Sequence, residues 1–217
     1  MLEVKNKNVL SDSLSGLGLT SDILLFALNY DFTPPNTKKK SILQRLKENQ
    51  GEIDLDLSCV LYDDACLIQD IVWFKELRDK SEAVRHQGDS LTGKDRGFEP
   101  MYDAPFDQEQ IRIYLNKLPA HITKIALIAS SYFGQDFNQV DKGEIHLSDD
   151  EGNLAFELDL KSLEKNCHML WVAQLEKQID DWQLTMQNLT LTNKDIPEAA
   201  HFIGRELARA LSLPDSN

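Results

Sequence analysis

From Ile23 onward, apolar and polar residues alternate in short runs broken by turn residues, a two-residue period that predicts strands rather than long amphipathic helices. The predicted strands are Ile23 to Tyr30, Leu55 to Tyr62, Leu67 to Phe74, Val84 to Gly88 and Gln110 to Leu118, followed by Lys124 to Tyr132, Gly143 to Leu147, Leu154 to Leu160, His168 to Gln178 and Trp182 to Leu191. In the run from Gln110, the period places Ile111, Ile113, Leu115 and Lys117 on one face and Arg112, Tyr114 and Asn116 on the other, as in a half-buried strand. Asp149-Asp150-Glu151-Gly152-Asn153 and Asp180-Asp181 carry turn chemistry between such runs, so hairpins are expected there. About ten short strands with little helix predict an all-β fold, a sandwich of two mostly antiparallel sheets.

Two segments depart from this pattern. Residues 33–51 run through Pro34-Pro35 and Lys38-Lys39-Lys40 into an amphipathic stretch from Ile42 to Leu46, which reads as a basic insertion with a helical turn or two. A solvated surface loop is its plain explanation. After Pro197 the residues Phe202, Ile203, Leu207, Ala210 and Leu211 recur at helical spacing. They predict a closing helix over 197–212, with proline in its first turn and an apolar side for packing on a sheet. No internal repeat is visible.

The 217 residues suit one domain spanning 1–217, and 10 Gly and 7 Pro argue against long disorder. With 36 acidic against 23 basic side chains the formal charge is −13, a field that repels nucleic-acid backbones and anionic lipid surfaces. Nucleic acid is therefore not an expected partner, whereas cations are, as counterions or as held ligands. Cys59, Cys66 and Cys167 are too scattered for a disulfide framework, and the N-terminal stretch lacks the apolar run of a secretory signal. These features lead to the expectation of a cytoplasmic protein.

The candidate chemistry lies in the carboxylates. Glu52, Asp54 and Asp56 stand at every second position, so a strand sends all three to one face and their apolar neighbours to the other. A solvent-screened acidic edge would explain that segment by itself. A second segment runs His86-Gln-Gly88-Asp89-Ser90-Leu-Thr92-Gly93-Lys-Asp95-Arg-Gly97, and Glu99, Asp103, Asp107 and Glu109 follow. A glycine-punctuated loop beside clustered carboxylates is the ligand type of Ca²⁺, which takes six to eight oxygens in flexible geometry, and it suits neither zinc nor copper.

Here the sequence resembles the TerD-like tellurium-resistance and stress-response proteins, most of all their TerZ branch. The motifs that carry the resemblance are Ile53-Asp-Leu-Asp56, Ile71-Val-Trp73-Phe74-Lys75-Glu76-Leu77, His86-Gln-Gly-Asp-Ser-Leu-Thr-Gly93 and Asp107-Gln-Glu109. They continue with Leu118-Pro119-Ala120, Gly134-Gln-Asp-Phe137-Asn138-Gln-Val140 and Glu157-Leu-Asp-Leu160, so that roughly residues 20–190 are covered. The resemblance implies a two-sheet sandwich with calcium sites built from the acidic motifs. Carried over, the expected metal ligands are Asp54, Asp56, Asp89, Ser90, Thr92, Asp107 and Glu109. Ser90 stands where the family has Asn, Gln108 replaces the second Asp of the acidic triplet, and residues 98–106 lengthen the joining run. These departures are expected to lower calcium affinity, with Asp95, Glu99 and Asp103 as candidate substitutes.

Other residues read more plainly. His86 is expected to be structural, and His121, His146, His168 and His201 are isolated. Cys59 and Cys66 could contact a soft, thiophilic species, although buried hydrophobic cysteine is the ordinary reading. Trp73, Phe74 and Trp171 are expected in the core. The function expected is a non-enzymatic calcium-binding component of a bacterial-type stress response. The resemblance implies a role in tellurite resistance, in an assembly with sister Ter proteins, in the cytoplasm and peripheral to the inner membrane. The alternatives are a metal-assisted hydrolase centred on His86 and Asp89, and a calcium-switched membrane-docking module using Lys38 to Lys40 with Lys47.

Overall fold

The computed structural model describes residues 11–30, 54–88, 107–140 and 142–212. The basic insertion at 33–51 lies outside them, as do Glu52, Asp89, Ser90, Thr92, Asp95, Glu99 and Asp103.

Eleven strands are present among the described residues: β1 (Ser11–Ser13), β2 (Ile23–Tyr30), β3 (Leu55–Tyr62), β4 (Ile68–Val72), β5 (Val84–His86), β6 (Glu109–Tyr114), β7 (Lys124–Ser131), β8 (Gly143–Asp149), β9 (Leu154–Asp159), β10 (Met169–Lys177) and β11 (Trp182–Thr190). They form a six-stranded sheet in the order β1-β11-β10-β7-β3-β4 and a five-stranded sheet in the order β5-β6-β2-β8-β9, with every pairing antiparallel. The expected sandwich is therefore present.

Between the sheets, Leu24, Phe26 and Leu28 of β2 and Ile111 and Ile113 of β6 meet Leu57, Cys59 and Leu61 of β3 in one buried cluster. The alternation in β2 and β6 is the direct cause, since one face of each strand is sealed and the other is half open. β3 is buried at all eight positions because both its faces are covered. Its even-numbered residues Val60 and Tyr62 turn away from the inter-sheet core into a second cluster with Ala199, Ala200, Ile203 and Leu207 of α1 (Ile196–Ser212).

α1 begins where the sequence places it. The Asp195 side chain accepts from the Glu198 N–H at 3.0 Å, and the Glu198 carboxylate accepts from the Lys194 N–H at 2.8 Å, a reciprocal cap at the positive end of the helix. Tyr62 anchors the helix by donating its hydroxyl to the Ala200 carbonyl at 2.8 Å. Gly204 makes close packing possible, because a Cβ there would stand 2.9 Å from the Cys66 carbonyl oxygen.

Several boundaries differ from expectation for local reasons. β1 carries only Ser, Asp and Ser and has no apolar alternation to announce it. Its edge pairing to β11 includes a hydroxyl contact between Ser11 and Thr185 at 2.8 Å. β6 stops at Tyr114, and Leu115–Lys117 form a 3-10 turn, which leaves Lys117 exposed instead of on the face of Ile111 and Ile113. β4 ends at Val72 because Trp73 pairs back onto Glu76 in a tight reversal. Trp171 is core, whereas Trp73 and Phe74 are half-buried at the margin, in edge-to-face contact at 5.0 Å.

Candidate metal centre

Four strand ends converge at one end of the sandwich: Tyr30 closes β2, Asp54 precedes β3, His86 closes β5 and Glu109 opens β6. Residues 31–53 connect β2 to β3 and residues 89–106 connect β5 to β6, so both long connections leave from and return to this end.

Asp54 and Asp56 are both buried, each 4% exposed. The period of β3 sets them on the face opposite Leu55 and Leu57, as the sequence implies. The Asp54 carbonyl accepts from the Tyr132 N–H at 2.9 Å, which extends the pairing of β3 with β7 past its last rung. Tyr30 reaches across from the other sheet, and its phenol is hydrogen-bonded to the Leu55 backbone. Burial raises the pKa of that phenol far above the ordinary tyrosine range, and the negative charges of Asp54, Glu109 and Asp56 raise it further, outweighing the Leu55 hydrogen bond. Three carboxylates from two sheets thus act on one hydroxyl.

Glu109 is 1% exposed, and its Oε2 lies 2.8 Å from His86 Nε2. His86 Nδ1 accepts from the Gly88 N–H at 3.2 Å, so a neutral ring carries its proton on Nε2, toward Glu109. The imidazole is closed in, with a side chain 0% exposed. His86 thus lies between the Gly88 N–H and the Glu109 carboxylate.

The acidic triplet does not act as a unit. Gln108 turns its amide to the backbone of Tyr30, donating from Nε2 to the carbonyl and accepting at Oε1 from the N–H, both at 2.8 Å. Its own N–H donates to the Leu28 carbonyl at 2.9 Å. Asp107 goes to the outer face of the five-stranded sheet, where Oδ1 lies 3.8 Å from His146 Nε2 and Oδ2 accepts from Gln110 Nε2 at 3.4 Å. Glu109 alone of the three enters the interior with Ile111 and Ile113. His146, read from the sequence as isolated, is thus beside Asp107.

The donor chemistry suits a hard cation, since the converging groups are carboxylates and a phenol. Among the described residues, however, no group of three or more His, Cys, Asp or Glu stands close enough to hold a metal ion. Of the expected ligands, Asp54, Asp56, Asp107 and Glu109 lie among the described residues, and Asp89, Ser90 and Thr92 lie outside them. The three cysteines are unpaired and buried, and burial raises each thiol pKa, which keeps them protonated and poorly nucleophilic. No helix among the described residues is long and apolar enough to cross a membrane.

A family model, the TerD domain, matches residues 29–191. The chain is 32% identical over 183 residues to the tellurium resistance protein TerZ of Serratia marcescens, covering 84% of this chain and 86% of that protein. It is 29% identical over 109 residues to general stress protein 16U of Bacillus subtilis, covering 47% of this chain and 52% of that one. A solved structure described as a homologue of telluride resistance protein (TerD), from Streptomyces coelicolor A3(2), superposes with a TM-score of 0.63 at 14% identity, over 84% of this chain and 96% of that chain. That likeness is one of fold.

Proposed function

The chain belongs to the TerD domain family, and from that premise we propose that it is a calcium-binding module of a stress response that contributes to resistance against tellurite and related toxic agents. In this reading it works without catalysis, in the cytoplasm, as one component of an assembly with other proteins of its family. The observation that carries the calcium reading is that Asp54, Asp56 and Glu109 are buried at the end of the sandwich where Tyr30 closes β2, with the charge of each acting on its phenol. Like charges brought together in a buried setting repel strongly. A bound calcium ion would supply positive charge to the carboxylates at this end of the sandwich. Asp54 and Asp56 would offer oxygens at the start of β3 and Glu109 at the start of β6, without the three sharing one ion, while His86 lies against the Glu109 carboxylate and Tyr30 ties β2 to the start of β3.

The non-enzymatic reading is supported by the enclosure of His86, whose side chain is 0% exposed and whose Nδ1 accepts from the Gly88 N–H. A water-activating base needs access to the water it deprotonates.

Calorimetry on metal-free protein tests the assignment. The expected outcome is measurable heat with calcium in the micromolar to millimolar range and no tighter uptake of zinc. Tight zinc binding with no heat from millimolar calcium would sink the oxygen-ligand reading.

A further inference from the structure

Three arginines stand in one cross-strand row on the five-stranded sheet. Arg85 of β5 is directly opposite Arg112 of β6, and on its other side Arg85 forms an antiparallel bridge with Arg78. Residues paired in this way present their side chains on the same face. Like charges directly opposite one another destabilise a sheet, so two consecutive Arg–Arg rungs in a chain of net charge −13 call for a compensating group.

The compensation among the described residues is incomplete. Glu82 reaches two of the three, with Oε2 3.6 Å from Arg78 and 3.3 Å from Arg85. Arg112 donates from Nε to the neutral Gln110 side chain at 3.2 Å, and no described carboxylate lies within ion-pair distance of it. Among the described residues, one carboxylate stands against three guanidiniums, a surplus of two positive charges. Lys117 adds another cation at the rim, its Nζ 4.3 Å from the Tyr114 ring centre, while the Arg85 guanidinium sits 5.3 Å from the same centre. The face of the Tyr114 ring steadies the Arg85 head group within the row.

A cavity of about 290 Å³ opens over this row, with Arg78, Arg85, Arg112, Gln87 and Tyr114 in its lining. Guanidinium groups are planar forks that bind oxyanions through paired hydrogen bonds, and several of them side by side favour a dianion. The volume lies at the lower limit for a small-molecule pocket. We infer that the Arg78–Arg85–Arg112 row is a binding site for a phosphate-type dianion, free or carried on a small monoester. The net negative charge of the chain opposes a long polyanion at a distance, but it does not cancel the local field that a compact anion meets inside the cavity. His86, which contacts Glu109, and Gly88 also line the cavity.

The test is thermal unfolding of metal-free protein at low ionic strength, titrated with inorganic phosphate, with glycerol phosphate, and with chloride at matched ionic strength. Phosphate is expected to raise the melting temperature saturably and well beyond chloride. An ester that binds at least tenfold tighter than phosphate assigns the cavity to a monoester, and equal affinity assigns it to the free anion. Arg112→Gln should leave the anion-free melting temperature unchanged or higher, because a like charge is gone, and should remove most of the phosphate shift. Glu82→Gln should move affinity the opposite way, tightening phosphate several-fold, a change that misfolding would not produce. A phosphate effect equal to that of chloride, or one that survives Arg112→Gln undiminished, would overturn the assignment.

Discussion

The side-chain amide of Gln108 closes two hydrogen bonds, each 2.8 Å, on the backbone N–H and carbonyl of Tyr30. It therefore continues the β2–β6 ladder beyond its last rung with a side chain in place of backbone. The substitution that looks from the sequence like a lost metal ligand has a structural duty, holding in place the tyrosine around which the carboxylates gather.

Gln108→Asp restores the acidic triplet in sequence but not in space. An aspartate offers no donor to the Tyr30 carbonyl and places a charge against it. The expected cost is about 1 to 2 kcal/mol, a fall of several degrees in melting temperature for a chain of this size, with no gain in calcium affinity. Differential scanning fluorimetry with and without calcium checks both, and a stronger calcium response in the variant would show that position 108 reaches the metal.

Asp56→Asn and Glu109→Gln should separate two kinds of carboxylate. Asp56→Asn removes a like charge from a crowded site, so the metal-free protein is expected to melt at the same temperature or higher, while the calcium-induced rise shrinks. Saturation at about 100 times the dissociation constant contributes about 2.7 kcal/mol. Glu109→Gln instead takes the charge away from a buried His86 contact of 2.8 Å and should lower the metal-free melting temperature as well. If Asp56→Asn destabilises the metal-free protein and leaves the calcium shift intact, Asp56 is a structural residue.

Asp149 sets a pH dependence. Burial raises its pKa, but hydrogen bonds from Asn153, Thr20, Ser21 and Glu151 outweigh that effect and hold it at about 2. A carboxyl whose folded pKa is depressed contributes stability that is fully present above its unfolded value, near 4, and is lost as pH falls toward 2. The contribution is about 2 kcal/mol. Urea unfolding of the wild type and Asp149→Asn should show a gap in stability at pH 6 that closes on going to pH 2.5. A gap constant over that range would assign the loss to shape and not to charge.

The strands of the core were legible because each needs only its own period. β2 and β3 have the limits that the apolar alternation implies, and Asp54 and Asp56 fall on the face opposite Leu55 and Leu57 as that period requires. β1 was not legible, since an edge strand of Ser-Asp-Ser buries nothing and exists through its partner. The closing helix was legible from its apolar spacing, while its cap at Asp195 depends on a carboxylate that the chain must bend to meet.

What the sequence by itself determined is therefore the core strands and the closing helix, the face each carboxylate takes within its own strand, and the family, because periodicity and motif order are local properties of the chain. Tertiary structure decided which residues became neighbours. It sent Asp107 and Glu109 to opposite sides of one sheet, gave Gln108 to Tyr30, and lined up Arg78, Arg85 and Arg112. The physical reason is that a two-residue period fixes a side chain's direction but carries no information on which strand lies alongside. That choice is made by the registers that bury the apolar faces of all the strands together.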